Sequence, residues 1–265
     1  MFRIACFVRL IFRCSLAVFV LTQTATGAPT GQPVASISTA WAKPQPNSTN
    51  YSAEGIDCGP AGENGDSATD LRKNRTDIPG EYHAVTFDAI AKLPYPKAPH
   101  SRTDWSGAQL KKIEPYEGVA LTVAGYLVGL RVEGAEMTNC GMTDSVDVDW
   151  HMWISARPQA PKSDAIVVET TPRVRKDHPK WTPTALKPWI NSTQPVRISG
   201  WLMMDPQHPD LVGQSRVTIW EIHPILKIEA FRSGAWVDLD AMPSPRFRAR
   251  RPQMASSPTF HTKAR

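Results

Sequence analysis

The stretch from residue 118 to 132 constrains this chain more than any other. Val119, Leu121 and Val123 alternate with Ala120, Thr122 and Ala124, the period-two pattern of a strand with one buried face. Gly125 and Gly129 interrupt the run, and glycine inside a long strand marks a sharp bend. Four more strand signals follow, at residues 146–155, at 165–174 with the β-branched run Ile166-Val167-Val168, at 196–204 and at 216–231. A short helix or turn is predicted at 182–190, between the third and fourth of the five strands.

Strand, strand, strand, helix, strand, strand, with the first strand long and bent, is the element order of an OB-type barrel. Five amphipathic strands within residues 116–231 must also close or pair their edges. The predicted fold is therefore mostly β: a five-stranded OB-like barrel with one short helix between strands three and four, plus disordered tails. A small β-sandwich is the alternative.

The flanks differ in composition. Residues 28–75 are rich in Pro, Gly, Ser, Thr and Asn and poor in large apolar residues, which predicts a disordered linker. Residues 76–115 form a connecting region, with one short helix over 86–93 and then the extended run Pro94-Tyr95-Pro96-Lys97-Ala98-Pro99. Residues 232–265 are a C-terminal tail, basic and disordered at its end.

Residues 1–27 carry the three-part pattern of a signal peptide: Arg3, Arg9 and Arg13 without an acid, an apolar run from Cys14 to Leu21, then Ala25 and Gly27 spaced for cleavage. The run is shorter than the roughly 20 apolar residues of a spanning helix, so the mature chain is expected to carry no membrane span. The expected location is periplasmic or extracellular. That compartment allows Cys58 and Cys140 to pair, two free thiols being the alternative.

Charge divides along the same boundaries. The chain has 30 basic and 25 acidic residues; three of the basic ones lie in the signal segment and six after Asp240, which leaves 21 basic against all 25 acidic residues between them. The high pI belongs to the ends. An acidic body argues against nucleic acid as a partner, because phosphate binding needs a basic surface.

Chemistry concentrates on strand two. Alternation sends Val146, Val148, Trp150, Met152 and Ile154 to the core and Asp147, Asp149, His151 and Trp153 to the opposite face. Arg173 and Arg175 share a face at the end of strand three, where they bind an anion or pair with Asp147, Asp149 or Glu169. Glu221 lies on an apolar strand face and needs a partner, Arg173 or Arg197. Trp153 and Trp181 are the tryptophans expected to be exposed. His178, His208 and His223 each precede proline and are the metal-ligand candidates, with Asp147, Asp149 or His151 completing a site through the fold. No H-E-x-x-H, G-x-S-x-G or Gly-rich phosphate loop occurs.

The stretches Tyr116-Glu117-Gly118, Gly125-Tyr126-Leu127, Thr171-Pro172-Arg173-Val174-Arg175, Gly200-Trp201-Leu202-Met203-Met204-Asp205 and Trp220-Glu221-Ile222-His223-Pro224-Ile225 resemble a group of exported bacterial proteins with an OB-fold-like domain. The resemblance covers residues 73–229. It implies the fold and carries over no catalytic residue.

These readings point to an exported binding module for an envelope or extracellular ligand. Its groove would be built from Asp147, Asp149, His151 and Trp153 with Arg173, Arg175, Trp181 and His208. A metal-assisted hydrolase on the same Asp/His face is the alternative. A structural envelope protein, touching anionic surfaces through its basic tail, is a third reading.

Overall fold

A computed structural model describes residues 33–97 and 100–242; residues 1–27, read above as a signal peptide, and the tail beyond Met242 lie outside the described residues. Among the described residues nine strands form in chain order: β1 (Tyr51–Ala53), β2 (Ile56–Cys58), β3 (His83–Val85), β4 (Ala120–Val132), β5 (Trp150–Ser155), β6 (Ala165–Thr170), β7 (Val196–Met204), β8 (Trp220–Arg232) and β9 (Ala235–Asp238).

The barrel follows from the pairing. β4 pairs β5 antiparallel through Tyr126–Val132 and pairs β7 antiparallel through Ala120–Gly125. β5 pairs β6, β6 meets β8 in parallel, and β8 pairs β7, so the ring closes. Numbering the five from β4, the order around the ring is 1-2-3-5-4-1, as expected of an OB-type barrel. The bend in β4 falls where predicted. A Cβ on Gly125 would stand 2.9 Å from Ser155 O, so only glycine lets the strand turn from one partner to the other there.

A second irregularity lies at Pro224. The β7–β8 register shifts on both sides of Gly200, whose Cβ would lie 2.3 Å from Pro224 O. The barrel interior is filled by Leu121 and Val123 of β4 and Met152 and Ile154 of β5, as predicted, with Ile166 and Val168 of β6, Ile198, Leu202 and Met204 of β7, and Trp220, Ile222 and Ile228 of β8.

Five short α-helices accompany the strands: α1 (Ser67–Lys73), α2 (Phe87–Ala91), α3 (Gly107–Ile113), α4 (Pro172–Arg175) and α5 (Pro183–Leu186). α2 matches the helix read at 86–93; Thr86 caps it by accepting from Ala89 N–H. α5 and a following 3₁₀ turn, Lys187–Trp189, fill the predicted helical stretch between strands three and four.

Several expectations are corrected. Residues 33–75 are not a disordered linker. They form the β1–β2 hairpin and α1, and Cys58 is disulfide-bonded to Cys140. The composition argument counted apolar burial alone, whereas this segment is held by buried polar groups. Asp70, Lys73, Asn74 and Arg75 are all buried, Asn74 donates to Pro60 O and Thr138 O, and Arg75 pairs with Asp77 over the Trp201 ring.

The connecting region also does more than connect. β3 pairs β4 in parallel, and Ile90, Trp105 and Ile113 join the main core. The tail begins with β9, which pairs β8.

Strand two starts at Trp150, because 144–147 is a turn closed by Asp147 N–H to Asp144 O; Val146 is exposed instead of buried. Strand three stops at Thr170, because Thr171 caps α4 and Pro172 occupies its first turn.

Candidate functional site

β5, β6 and β8 send alternate side chains into the barrel, so His151, Glu169, Glu221 and His223 all leave on its outer face. That face is not open. α1 packs across β8, and the loop 133–149 folds beside it, joined to the hairpin by the disulfide. Asp147, Asp149, His151, Glu169, Arg173, Arg175, Glu221 and His223 are all buried, so the predicted solvent groove on strand two does not exist as such.

What exists is a sealed network of carboxylates and imidazoles. His151 Nε2 stands 2.7 Å from Glu169 Oε1, and its Nδ1 stands 3.2 Å from Glu133 Oε1. His223 is fully buried among three carboxylates: Nε2 lies 3.5 Å from Asp149 Oδ2, and Nδ1 lies 3.4 Å from Glu169 Oε2 and 3.6 Å from Glu221 Oε2. Asp149 accepts from Asn139 through its other oxygen. Glu221 pairs with Arg216, which also reaches Asp205 Oδ2 at 3.2 Å; the expected partners Arg173 and Arg197 are engaged elsewhere, Arg197 with Glu229.

Electrostatics follow from this packing. Burial pushes Glu169 up, but His151 and His223 outweigh it and hold the carboxyl well below the ordinary range. Burial likewise opposes ionisation of Asp149, and His223 reverses it. Glu221 stays raised, because burial is reinforced by Glu169 and Asp205. Burial would lower His223, yet Glu169 and Asp149 lift it to about 10. Glu136 at the edge of the network is pushed up to about 7 by burial and by Asp149. Lys73, carried in by α1, is a cation facing Asp205, Glu169, Glu136 and Glu221.

The two arginines read as anion binders are occupied by backbone. Arg173 donates to Thr49 O, Cys58 O and Gly59 O, and Arg175 donates to Thr170 O, Val146 O and Val148 O. They lie in α4, not on a strand, and neither closes on Asp147, Asp149 or Glu169. Asp147 instead accepts from Tyr51 O–H at 2.5 Å; burial, then Asp147, pushes that phenol up to about 12.

Of the three candidate metal histidines, only His223 meets a ligand-like cluster. His178 Nδ1 is 2.6 Å from Asp240, and His208 Nδ1 is 2.6 Å from Asp205. Among the described residues three groups of side chains bring carboxylate or imidazole atoms within 4.8 Å of one another: Asp149–Glu169–His223, Glu133–Glu136–His151, and the more exposed, all-carboxylate Glu54–Asp144–Asp147.

Trp153 and Trp181 are corrected as well. Trp153 is buried in a satellite cluster with Val128, Ala165 and Val167, under the Lys162 ammonium. Trp181 is buried and stacks on His178 at 4.0 Å.

Trp181 nevertheless borders a cleft of about 310 Å³ together with Tyr51, Trp150, Arg175, Lys176 and His178. Arg175 lies over the Trp150 ring at 4.2 Å. Trp181 Nε1 and Arg175 Nε are buried donors without an acceptor among the described residues.

Asp205, Arg216, Lys73, Asn139, Glu133 and Glu136 were not anticipated from sequence. The only sequence sign was a charge set inside an apolar β run, as at Glu169 after Ile166-Val167-Val168. Comparison with family models, curated proteins and solved structures finds no match.

Proposed function

We propose that the chain is an exported β-barrel binding module for a small anionic ligand of the cell envelope or its surroundings. The observation that carries this reading is the cleft beside α4. It gathers three residues singled out in the sequence, Arg175, His178 and Trp181, and its lining includes two buried donors that lack acceptors. A buried donor without a partner costs free energy that a ligand oxygen recovers. Tyr51, Trp150 and Trp181 supply flat apolar walls, and Lys176 and Arg175 supply positive charge, which suits a ring-bearing carboxylate.

Export is supported by the signal pattern and by the Cys58–Cys140 disulfide, a bond that persists in oxidising compartments. No helix among the described residues is long and apolar enough to cross a membrane. The hydrolase alternative meets an obstacle: Asp149, Glu169, Glu221 and His223 are buried.

The test is a tryptophan-fluorescence titration with a panel of anionic sugars and short peptides. The reading expects saturable quenching that weakens in Lys176→Glu, an exposed position whose reversal leaves the fold intact. No saturation across the panel, or binding indifferent to Lys176→Glu, would remove the cleft as the binding site.

A further inference from the structure

We infer that His223, Asp149, Glu169 and Glu221 form a binding site for a divalent transition-metal cation of the zinc type. This site lies apart from the cleft, and the two proposals stand or fall independently. The argument begins with distances. His151, His178 and His208 each close on a carboxylate at 2.6–2.7 Å, as charged hydrogen bonds do. His223 does not. Its three carboxylate neighbours stand off at 3.4, 3.5 and 3.6 Å, beyond the usual hydrogen-bond range of about 2.7–3.2 Å. With metal–ligand bonds of about 2.0–2.2 Å, the ligands of a tetrahedral zinc ion stand about 3.3–3.5 Å from one another. The spacing around His223 is that of a coordination shell.

The second observation is the ring itself. His223 is fully buried, both of its nitrogens lack a hydrogen-bond partner, and Asp149 Oδ2, Glu169 Oε2 and Glu221 Oε2 are also orphaned. Five unsatisfied polar atoms thus gather around one ring, and each such buried group calls for an explanation. Carboxylates flank both edges of the imidazole. Whichever nitrogen ligates the cation, the other N–H therefore faces a carboxylate, the kind of neighbour that orients ligand histidines in metal sites.

Zinc alone is the probe. The purified chain is stripped with a chelator, reloaded with zinc chloride, gel-filtered and measured by elemental analysis and X-ray absorption. The proposal expects one zinc per chain, a shell with a single imidazole and carboxylate oxygens, and a higher melting temperature than the stripped form. His223→Gln and Glu169→Gln should lose the ion, whereas Glu133→Gln, in the neighbouring His151 cluster, should retain it. Stripped wild type that takes up no zinc and melts unchanged overturns the proposal without reference to any variant, leaving His223 as an imidazolium among carboxylates. Loss of zinc in Glu133→Gln, or its retention in a cooperatively melting His223→Gln, would place the ion elsewhere and overturn it equally.

Discussion

Arg216 offers the sharpest test of how the outer face is held. Its side chain is buried and stands between Glu221 Oε1 at 2.5 Å and Asp205 Oδ2 at 3.2 Å, both carboxylates being nearly sealed from water. Arg216→Met keeps the aliphatic stem and removes the guanidinium. Two buried carboxylates are then left facing each other and Glu169. Breaking a buried pair in this way costs about 3–5 kcal/mol, because the stranded charge is not resolvated.

For a domain of this size each kcal/mol moves the melting temperature by about 2–4 °C, so the expected drop is roughly 6–20 °C at pH 7. The sign with pH is diagnostic. Without Arg216 the carboxyl of Glu221, already raised, rises further and Asp205 loses a cation that holds it down, so the deficit grows with pH above the unfolded carboxyl pKa values and is full only above the raised folded ones. It shrinks as pH falls toward about 4, where both states are protonated. Arg216→Met/Glu221→Leu should recover most of the loss, since a buried ion pair replaced by apolar groups is often neutral. Denaturant melts at pH 7 and pH 4.5 provide the measurement. A single variant within about 1 kcal/mol of wild type, or a deficit that does not change with pH, would refute the account of this network.

Two further outcomes follow from the same description. Cys58→Ser/Cys140→Ser opens a loop of 82 residues and should cost about 4 kcal/mol in the chain-entropy model; equal melts with and without reductant would show that α1 and the hairpin dock unaided. His208 is raised by its hydrogen bond with Asp205, so its contribution is fully present below the unfolded value near 6.5 and is lost as pH rises through the higher folded value. Its side chain is 39% exposed, so the wild-type advantage over His208→Gln should be small, largest near pH 5.5 and fading above neutrality. An advantage that grows with pH would contradict the pairing.

The barrel was legible wherever burial is one-sided. Alternation placed β7 at its observed bounds, and the glycines in β4 marked where it changes partner. Strand two misled because Val146 and Val148 continue the alternation into a turn, which only the Asp147–Asp144 backbone bond reveals. Strand three was read too long although Pro172 stood in plain view; the capping threonine before it was not weighed.

The site was legible as a list of residue types and not as an arrangement. Asp149, His151 and His223 were named, but as members of an exposed face. Hydropathy has no signal for a polar segment that buries itself against another polar surface, and the segment at 59–75 does this. Trp153 and Trp181 failed for the same reason: each is covered by neighbours, Lys162 and His178, that read as surface residues.

The position of α1 also bears on how the chain is made. Lys73 and Asp70 emerge early in synthesis, but the groups they meet lie at Thr138, Glu169, Asp205, Gln207 and Glu221. Contacts so distant in sequence carry a loop-closure penalty and slow folding. The contacts of Lys73 with β6 and β8 therefore form only once those strands are in place. A tag, fusion partner or cut placed near residue 60 would disturb the final step of assembly rather than the first, and the damage would appear as an open, charge-rich barrel rather than as an unfolded chain.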